Sequence, residues 1–285
     1  MSSDSSPCFP PELEREIFET TAYLHPDSMP SLVFVCRRAY DWVSRIKYHT
    51  VAPSGLQSSC PFHVLRRAIQ SNSKPTSFFR DRVRHLFIPH GSTDELRKTL
   101  STCSSIKTLA IGLKVGPSVF RGLDALMPSR LNIRLVPLLD NTDLCRPTFA
   151  FVTHLRILDF MPMVSDPNMG RWLSFLSSLP ALTHLAIIIA IRVASDVFAL
   201  CKNLTVLVHL GGGWGPYPPE DDELTFVDDD RFVYMPIEWD YLDDWVTGTR
   251  GGLDFWARAD KFIAMKRRGK IEPRSRCWIE ESDGI

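Results

Sequence analysis

The chain has 285 residues, 44% of them hydrophobic, with 33 basic and 33 acidic side chains and a formal net charge of zero. Such a balance lacks the basic surplus that bulk attraction to nucleic acid needs. Seven scattered cysteines with no CxxC spacing point to a reduced intracellular chain, not a disulfide scaffold or a zinc ribbon. The most apolar run, Leu185 to Ile191, is short against the roughly 20 residues of a membrane span, so it reads as a buried strand of a soluble protein. Residues 1–12 are Ser, Pro and acid with no basic start, so no secretion signal is expected.

Residues 1–8 are expected to be disordered. Pro10 and Pro11 then open a first helix, with Glu12, Glu14 and Glu16 suited to its positive end. Leu13, Ile17, Thr21 and Leu24 make a stripe at helical spacing, widened by Phe18 and Ala22. His25-Pro26-Asp27-Ser28 breaks it. A second helix is expected over Pro30–Cys36 and a third over Arg38–Tyr48, with Trp42, Val43 and Ile46 inward. A three-helix module over residues 9–50 is too small to be very stable alone and should lean on a neighbour. Residues 51–80 read as a connecting segment with one helix, Phe62–Ser71, and a packed Phe78-Phe79 pair.

A phrase then returns: Val83-Arg-His-Leu-Phe-Ile88, Ile106-Lys-Thr-Leu-Ala-Ile111, Val152-Thr-His-Leu-Arg-Ile157, Leu182-Thr-His-Leu-Ala-Ile187 and Leu204-Thr-Val-Leu-Val208, with a fainter copy at Arg130–Leu135. Anchors at 86, 109, 133, 155, 185 and 207 are spaced by 23, 24, 22, 30 and 22 residues. Helix-like stretches lie between them at Thr93–Thr102, Val119–Met127, Met169–Leu179 and Ala194–Cys201. The 30-residue gap fits an insertion around 161–169. A recurring helix–loop–strand unit of this length predicts an α/β solenoid over 81–210, resembling a leucine-rich repeat, with parallel strands and helices on the other face. Residues 211–285 complete the chain. Gly211–Pro219 reads as a loop, Arg231–Met235 as one more strand, and Asp254–Arg268 as a helix that caps the open end of the stack.

His85, His154 and His184 each precede an anchor Leu, and Thr108 holds that place in the second copy. Strand side chains alternate, so with anchors inward these four are expected on an open, partner-binding face. His154 and His184 could ligate metal as neighbours, but no third ligand is visible, and no metal or other cofactor is expected. The glycine loop lacks the helix and Lys of a phosphate cradle, and the acids at 220–230 lack calcium-loop spacing. Lys266-Arg267-Arg268-Gly-Lys270 suits a helix C-terminus. Trp42, Trp172, Trp245 and Trp256 read as core or seam residues. No nucleophile motif appears, so a non-catalytic protein is expected.

Pro10, Pro11, Glu12-Leu13, Ile17-Phe18, Val35-Cys36-Arg37, Trp42 and Tyr48 resemble an F-box, although Phe9-Pro10-Pro11 stands where a Leu-Pro pair is usual. The strings VTHL, LPALTHLA, DDDRFV, DDWVTGTRGGLDFWARADKFIAMKRRGKI and WIEESDGI are similar to those of a large group of F-box-like proteins of mushroom-forming fungi. The resemblance implies a helical module docking the adaptor of a cullin–RING ubiquitin ligase, through Pro11, Leu13, Ile17, Phe18, Val35 and Cys36. It also implies a repeat module holding a protein substrate. A cytoplasmic or nuclear protein, monomeric outside the complex, is expected, and the charge balance and short apolar runs point to no nucleic-acid or membrane partner. A second reading keeps the chain a protein-interaction scaffold whose N-terminal helices only cap the repeats. Under that reading the Leu13 face is buried against Phe78, Phe79 and the first strand. An enzyme with an unrecognised site is a third.

Overall fold

The structure is a computed structural model that describes residues 9–53, 60–112, 123–134, 147–160, 168–188, 193–211, 229–236 and 241–285. The expected disordered terminus, the glycine loop after Gly211, most of the 161–169 insertion and most of the acidic run lie outside the described residues, as do residues 119–122 of the helix expected over Val119–Met127. The rest of that span, 123–127, is not helical: the chain turns at Asp124-Ala125, and Leu126 N–H donates to the Leu123 carbonyl at 2.7 Å.

Three helices open the chain: α1 (Pro11–Leu24), α2 (Met29–Leu32) and α3 (Arg37–His49). Pro11 sits at the first helical position of α1, where its missing N–H costs nothing, and Glu12 and Glu14 lie in the first turn. α2 is shorter than the sequence suggests because Pro26–Ser28 forms a 3₁₀ turn and the chain turns again after Leu32. Cys36 caps α3, its Sγ accepting from the backbone N–H of Ala39 at 3.4 Å. The module's own core is only Ala22, Met29, Val43 and Ile46, with Phe18, Leu32 and Val33 against it. The expected support from a neighbour is present: Tyr48 meets Phe78 and Phe79 edge-on, with ring centroids 5.4 and 5.9 Å away.

Strands β1 (Thr50–Ala52) and β2 (Cys60–Pro61) and helices α4 (Phe62–Gln70) and α5 (Thr76–Arg82) fill the connecting segment. There follow β3 (His85–Ile88), α6 (Thr93–Thr102), β4 (Thr108–Ile111), β5 (Arg130–Ile133), β6 (His154–Phe160), α7 (Met169–Ser177), β7 (His184–Ile188), α8 (Val193–Leu200), β8 (Val206–Gly211) and β9 (Phe232–Pro236). Two helices close the chain, α9 (Tyr241–Thr249) and α10 (Phe255–Arg267). Among the described residues there are nine strands, all parallel, in the order β2-β1-β3-β4-β5-β6-β7-β8-β9.

The repeated phrase has a visible cause. Its apolar anchors Leu86, Leu109, Leu131, Leu155, Leu185 and Leu207 pair across the sheet and meet Leu65, Leu96, Leu100, Trp172, Phe175 and Val197 of the helices in one continuous core. Its Thr or Ser closes the turn into β5, β6, β7 and β8. Ser129, Thr153, Thr183 and Thr205 each send a hydroxyl to the carbonyl of the equivalent residue one repeat earlier (Lys107, Ser129, Thr153 and Thr183) at 3.0–3.3 Å. The same carbonyls accept two successive backbone N–H groups, as Thr153 does from Thr183 and His184. These groups would otherwise be unpaired at the entry to each strand.

Register corrects the faint copy. Leu131, not Ile133, pairs with Leu109 and Leu155, so Arg130 stands in the row of His85, Thr108, His154 and His184. Positions 131 and 133 share a face, and alternation cannot tell them apart.

The C-terminal part departs from expectation. α10 does not cap the end of the stack. It lies on the second face of the sheet, where Phe255, Trp256, Ala259, Phe262 and Ile263 pack on Ala186, Val206, Val208, Leu210, Val233 and Met235. α9 covers the other half, Trp245 and Val246 meeting Ala52, Phe87 and Ala110. The fold is therefore three layers, helix–sheet–helix. The sheet's end is blunted instead by the chain terminus: Tyr234 N–H donates to the Cys277 carbonyl at 2.6 Å, and β2 at the opposite edge is two residues long. The terminus is fixed by buried Arg276, whose guanidinium grips Asp283 in a fork of 2.8 and 2.6 Å. No helix among the described residues is long and apolar enough to cross a membrane.

Candidate functional site

Two groups of residues carry the sequence expectations. The first is α1 and its surroundings. A helix presents different faces at positions one apart, and α1 shows this. Phe18 and Ala22 turn inward, Phe18 lying 6.1 Å from Trp42. Leu13 and Ile17, one turn apart, turn outward and are about half exposed, Ile17 at 50%. Leu24 on the same stripe is 69% exposed, and Phe34 and Val35 after α2 are 88% and 62% exposed. Pro11 and Cys36 are exposed, but Cys36 is occupied as the cap of α3.

Of the eleven large hydrophobic side chains exposed among the described residues, seven (Phe9, Leu13, Ile17, Tyr23, Leu24, Phe34 and Val35) lie between residues 9 and 35. Scattered exposed apolar residues are ordinary, but a concentration of this kind marks a contact surface. The site is flanked by ion pairs on the same helices, Arg15–Glu19 at 2.8 Å and Arg38–Glu14 at 3.1 Å.

The second group is the histidine row, which is not an open face. Thr108 is buried, and His85, His154 and His184 are largely covered, because α9 and α10 occupy that side of the sheet. His154 and His184 stack with centroids 4.0 Å apart and planes 9° from parallel, and Trp256 stands edge-on to both at 5.3 and 5.8 Å. Parallel rings aim their lone pairs in parallel and cannot converge on one metal ion. No group of three or more His, Cys, Asp or Glu among the described residues is arranged for one.

Each imidazole is held by its own phrase: Thr153 Oγ1 lies 2.9 Å from His154 Nδ1, and Thr183 Oγ1 lies 2.8 Å from His184 Nδ1. His184 Nε2 reaches Asp260 of α10 at 3.1 Å. Burial, the neighbouring His184 and the charge of Arg130 push His154 down to about 3. Burial, His49 and the charges of Arg130, Lys107 and Arg84 push His85 down to about 3 as well. Both are neutral at physiological pH.

Several residues that hold this face are not evident from the repeats. Arg130 donates to Asp254 at 3.1 Å, and Asp254 also caps α10 by accepting from Ala257 N–H at 2.9 Å. Asp244 of α9 accepts from Phe255 N–H and from Arg258 at 3.2 and 3.0 Å, tying the two helices together. Arg156 lies 5.1 Å from the rings of both Tyr241 and Phe255. Lys266 is buried beside Asp230, so the basic run at the end of α10 is not a continuous surface patch. A signal for the second layer exists in the strands. Thr108–Ile111, His184–Ile188 and Val206–Leu210 are apolar at nearly every position, the pattern of strands buried on both faces. The arrangement at the histidine row is a structural seam, and the exposed apolar side chains among the described residues concentrate on and beside the α1 stripe. No family model matches the chain, and no curated protein matches it.

Proposed function

We propose that the chain is a non-catalytic interaction protein that docks an adaptor subunit through α1 and the turn after α2, as the substrate receptor of an F-box-type cullin–RING ubiquitin ligase. The observation that carries this is the outward stripe of Leu13, Ile17 and Leu24, joined by Phe34 and Val35: the first two are about half exposed and the other three more so. The scaffold reading would have this face buried against Phe78, Phe79 and β3. Instead α3, through Tyr48, makes that contact, and the α1 stripe stays about half exposed or more. The substrate's place follows by exclusion: with α9 and α10 over the second face, a substrate protein would meet the outer helices and loops rather than a bare sheet.

A pull-down of purified adaptor by the intact chain tests the reading. Binding is expected, and Leu13→Asp combined with Ile17→Asp should abolish it while circular dichroism and Tm stay unchanged. An intact chain that captures no adaptor, or a double variant that binds as well as the parent, sinks the proposal.

A further inference from the structure

The seam between the N-terminal helices and the repeats contains a cavity of about 630 Å³, lined by Arg45 and His49 of α3, by Pro75, and by Phe78, Asp81 and Arg82 of α5. Two guanidiniums therefore share one opening, and neither forms an ion pair among the described residues. Arg82 is fixed with its guanidinium 4.0 Å above the Phe78 ring, and its Nη1 is shut off from solvent without a hydrogen-bond partner. A buried N–H of a charged group without an acceptor is costly, so a small shift of the Arg82 side chain toward an acceptor in the opening would be favoured. Asp81 is the one carboxylate of the lining, and it is engaged by Arg80 at 3.2 Å. Burial and then the nearby charge of Arg45 work against the charged form of Arg82, and Asp41, Tyr40 and Asp81 offset them only in part, so the two cations are incompletely balanced.

We propose that this cavity binds a phosphate group, gripped between Arg45 and Arg82, with Pro75 and Phe78 as an apolar wall. A tetrahedral dianion offers acceptor oxygens in several directions to both guanidinium forks at once, and its charge balances two cations where a single carboxylate balances one. The phosphate group belongs either to the free ion or to a small phosphomonoester, and the volume lies in the range of small-molecule sites, about 300–1,000 Å³. The site is separate from the α1 stripe and does not depend on adaptor docking.

Calorimetric titration of the intact chain with inorganic phosphate and with phenyl phosphate, at matched ionic strength, tests it. Saturable binding is expected, with a Tm that rises with ligand concentration. Arg45 is exposed, so Arg45→Gln should leave the unliganded Tm unchanged and weaken binding at least tenfold. Arg82→Gln should abolish binding, and if it unfolds the chain, Arg45→Gln alone decides. Tighter binding of phenyl phosphate assigns the group to an ester, and equal binding assigns it to the free ion. Either outcome supports the site when it depends on Arg45. No binding of either probe, or binding of equal strength in Arg45→Gln, overturns it.

Discussion

At the scale of single residues, the buried imidazoles make stability depend on pH in a fixed direction. His85 and His154 titrate near 6.5 when unfolded and at about 3 when folded. Above 6.5 neither state binds a proton, and below it the unfolded chain does while the folded one does not. Stability is therefore full above the unfolded value and falls as the pH drops toward the folded one, by about 1.4 kcal/mol per histidine per pH unit. The urea midpoint should decline between pH 7 and 5, and His154→Gln should remove about half of that slope; a midpoint flat over the interval would contradict the burial described. Gly248 is a second such residue. A Cβ there would stand 2.0 Å from Asp254 Oδ2, and Asp254 is held by both Arg130 and the start of α10. Gly248→Ala should cost about 1–3 kcal/mol by overpacking, with up to about 1 more from the displaced cap, measured by denaturant unfolding.

Among the elements, α1 shows how one helix divides between a buried face and an exposed one. Its inner face is small, so Ala22→Asp should unfold the module, whereas Ile17→Asp should change stability by no more than about 0.5 kcal/mol, as exposed substitutions do. Thermal melts of the two variants decide it: an Ile17→Asp variant as unstable as Ala22→Asp would mean that the stripe is buried. The first-turn proline, the charges and the i, i+4 spacing made α1 legible in the sequence, as the Val/Leu–x–x–Leu phrase did for β3, β4, β6, β7 and β8. Periodicity could not reveal β1 and β2, which have three and two residues. Nor could it reveal α9, whose Thr and Gly are weak helix formers held by Trp245 and Val246 against the sheet. The span of α10 was legible but its place was not, because a helix face says that something covers it without saying what. The histidine row illustrates the same limit: alternation assigned the right side of the sheet, and only the position of α10 shows that side to be covered.

For the whole molecule, the second helical layer changes how the repeats cooperate. In a simple stack each repeat touches only its neighbours, and stability accumulates locally. Here α9 spans β1, β3 and β4 through Ala52, Phe87 and Ala110, and Thr50 Oγ1 lies 3.3 Å from Thr249 Oγ1. α10 continues from Arg130 on β5 to Met235 on β9. The pair is a strap across nearly the full sheet, joined in the middle by Asp244 and Asp254. Repeats that never touch are thus coupled through it, and unfolding should be a single transition with coincident fluorescence and circular dichroism midpoints. Trp256 sits where the strap crosses the stacked histidines. Its replacement by Ala should cost about 3–5 kcal/mol and loosen the strap over β6 to β9. The variant should then show separated midpoints, and hydrogen exchange should accelerate first in β7 to β9 while β3 and β4 stay protected. Uniform loss of protection along the sheet, or coincident midpoints with little loss of stability, would show that the repeats cooperate without the strap.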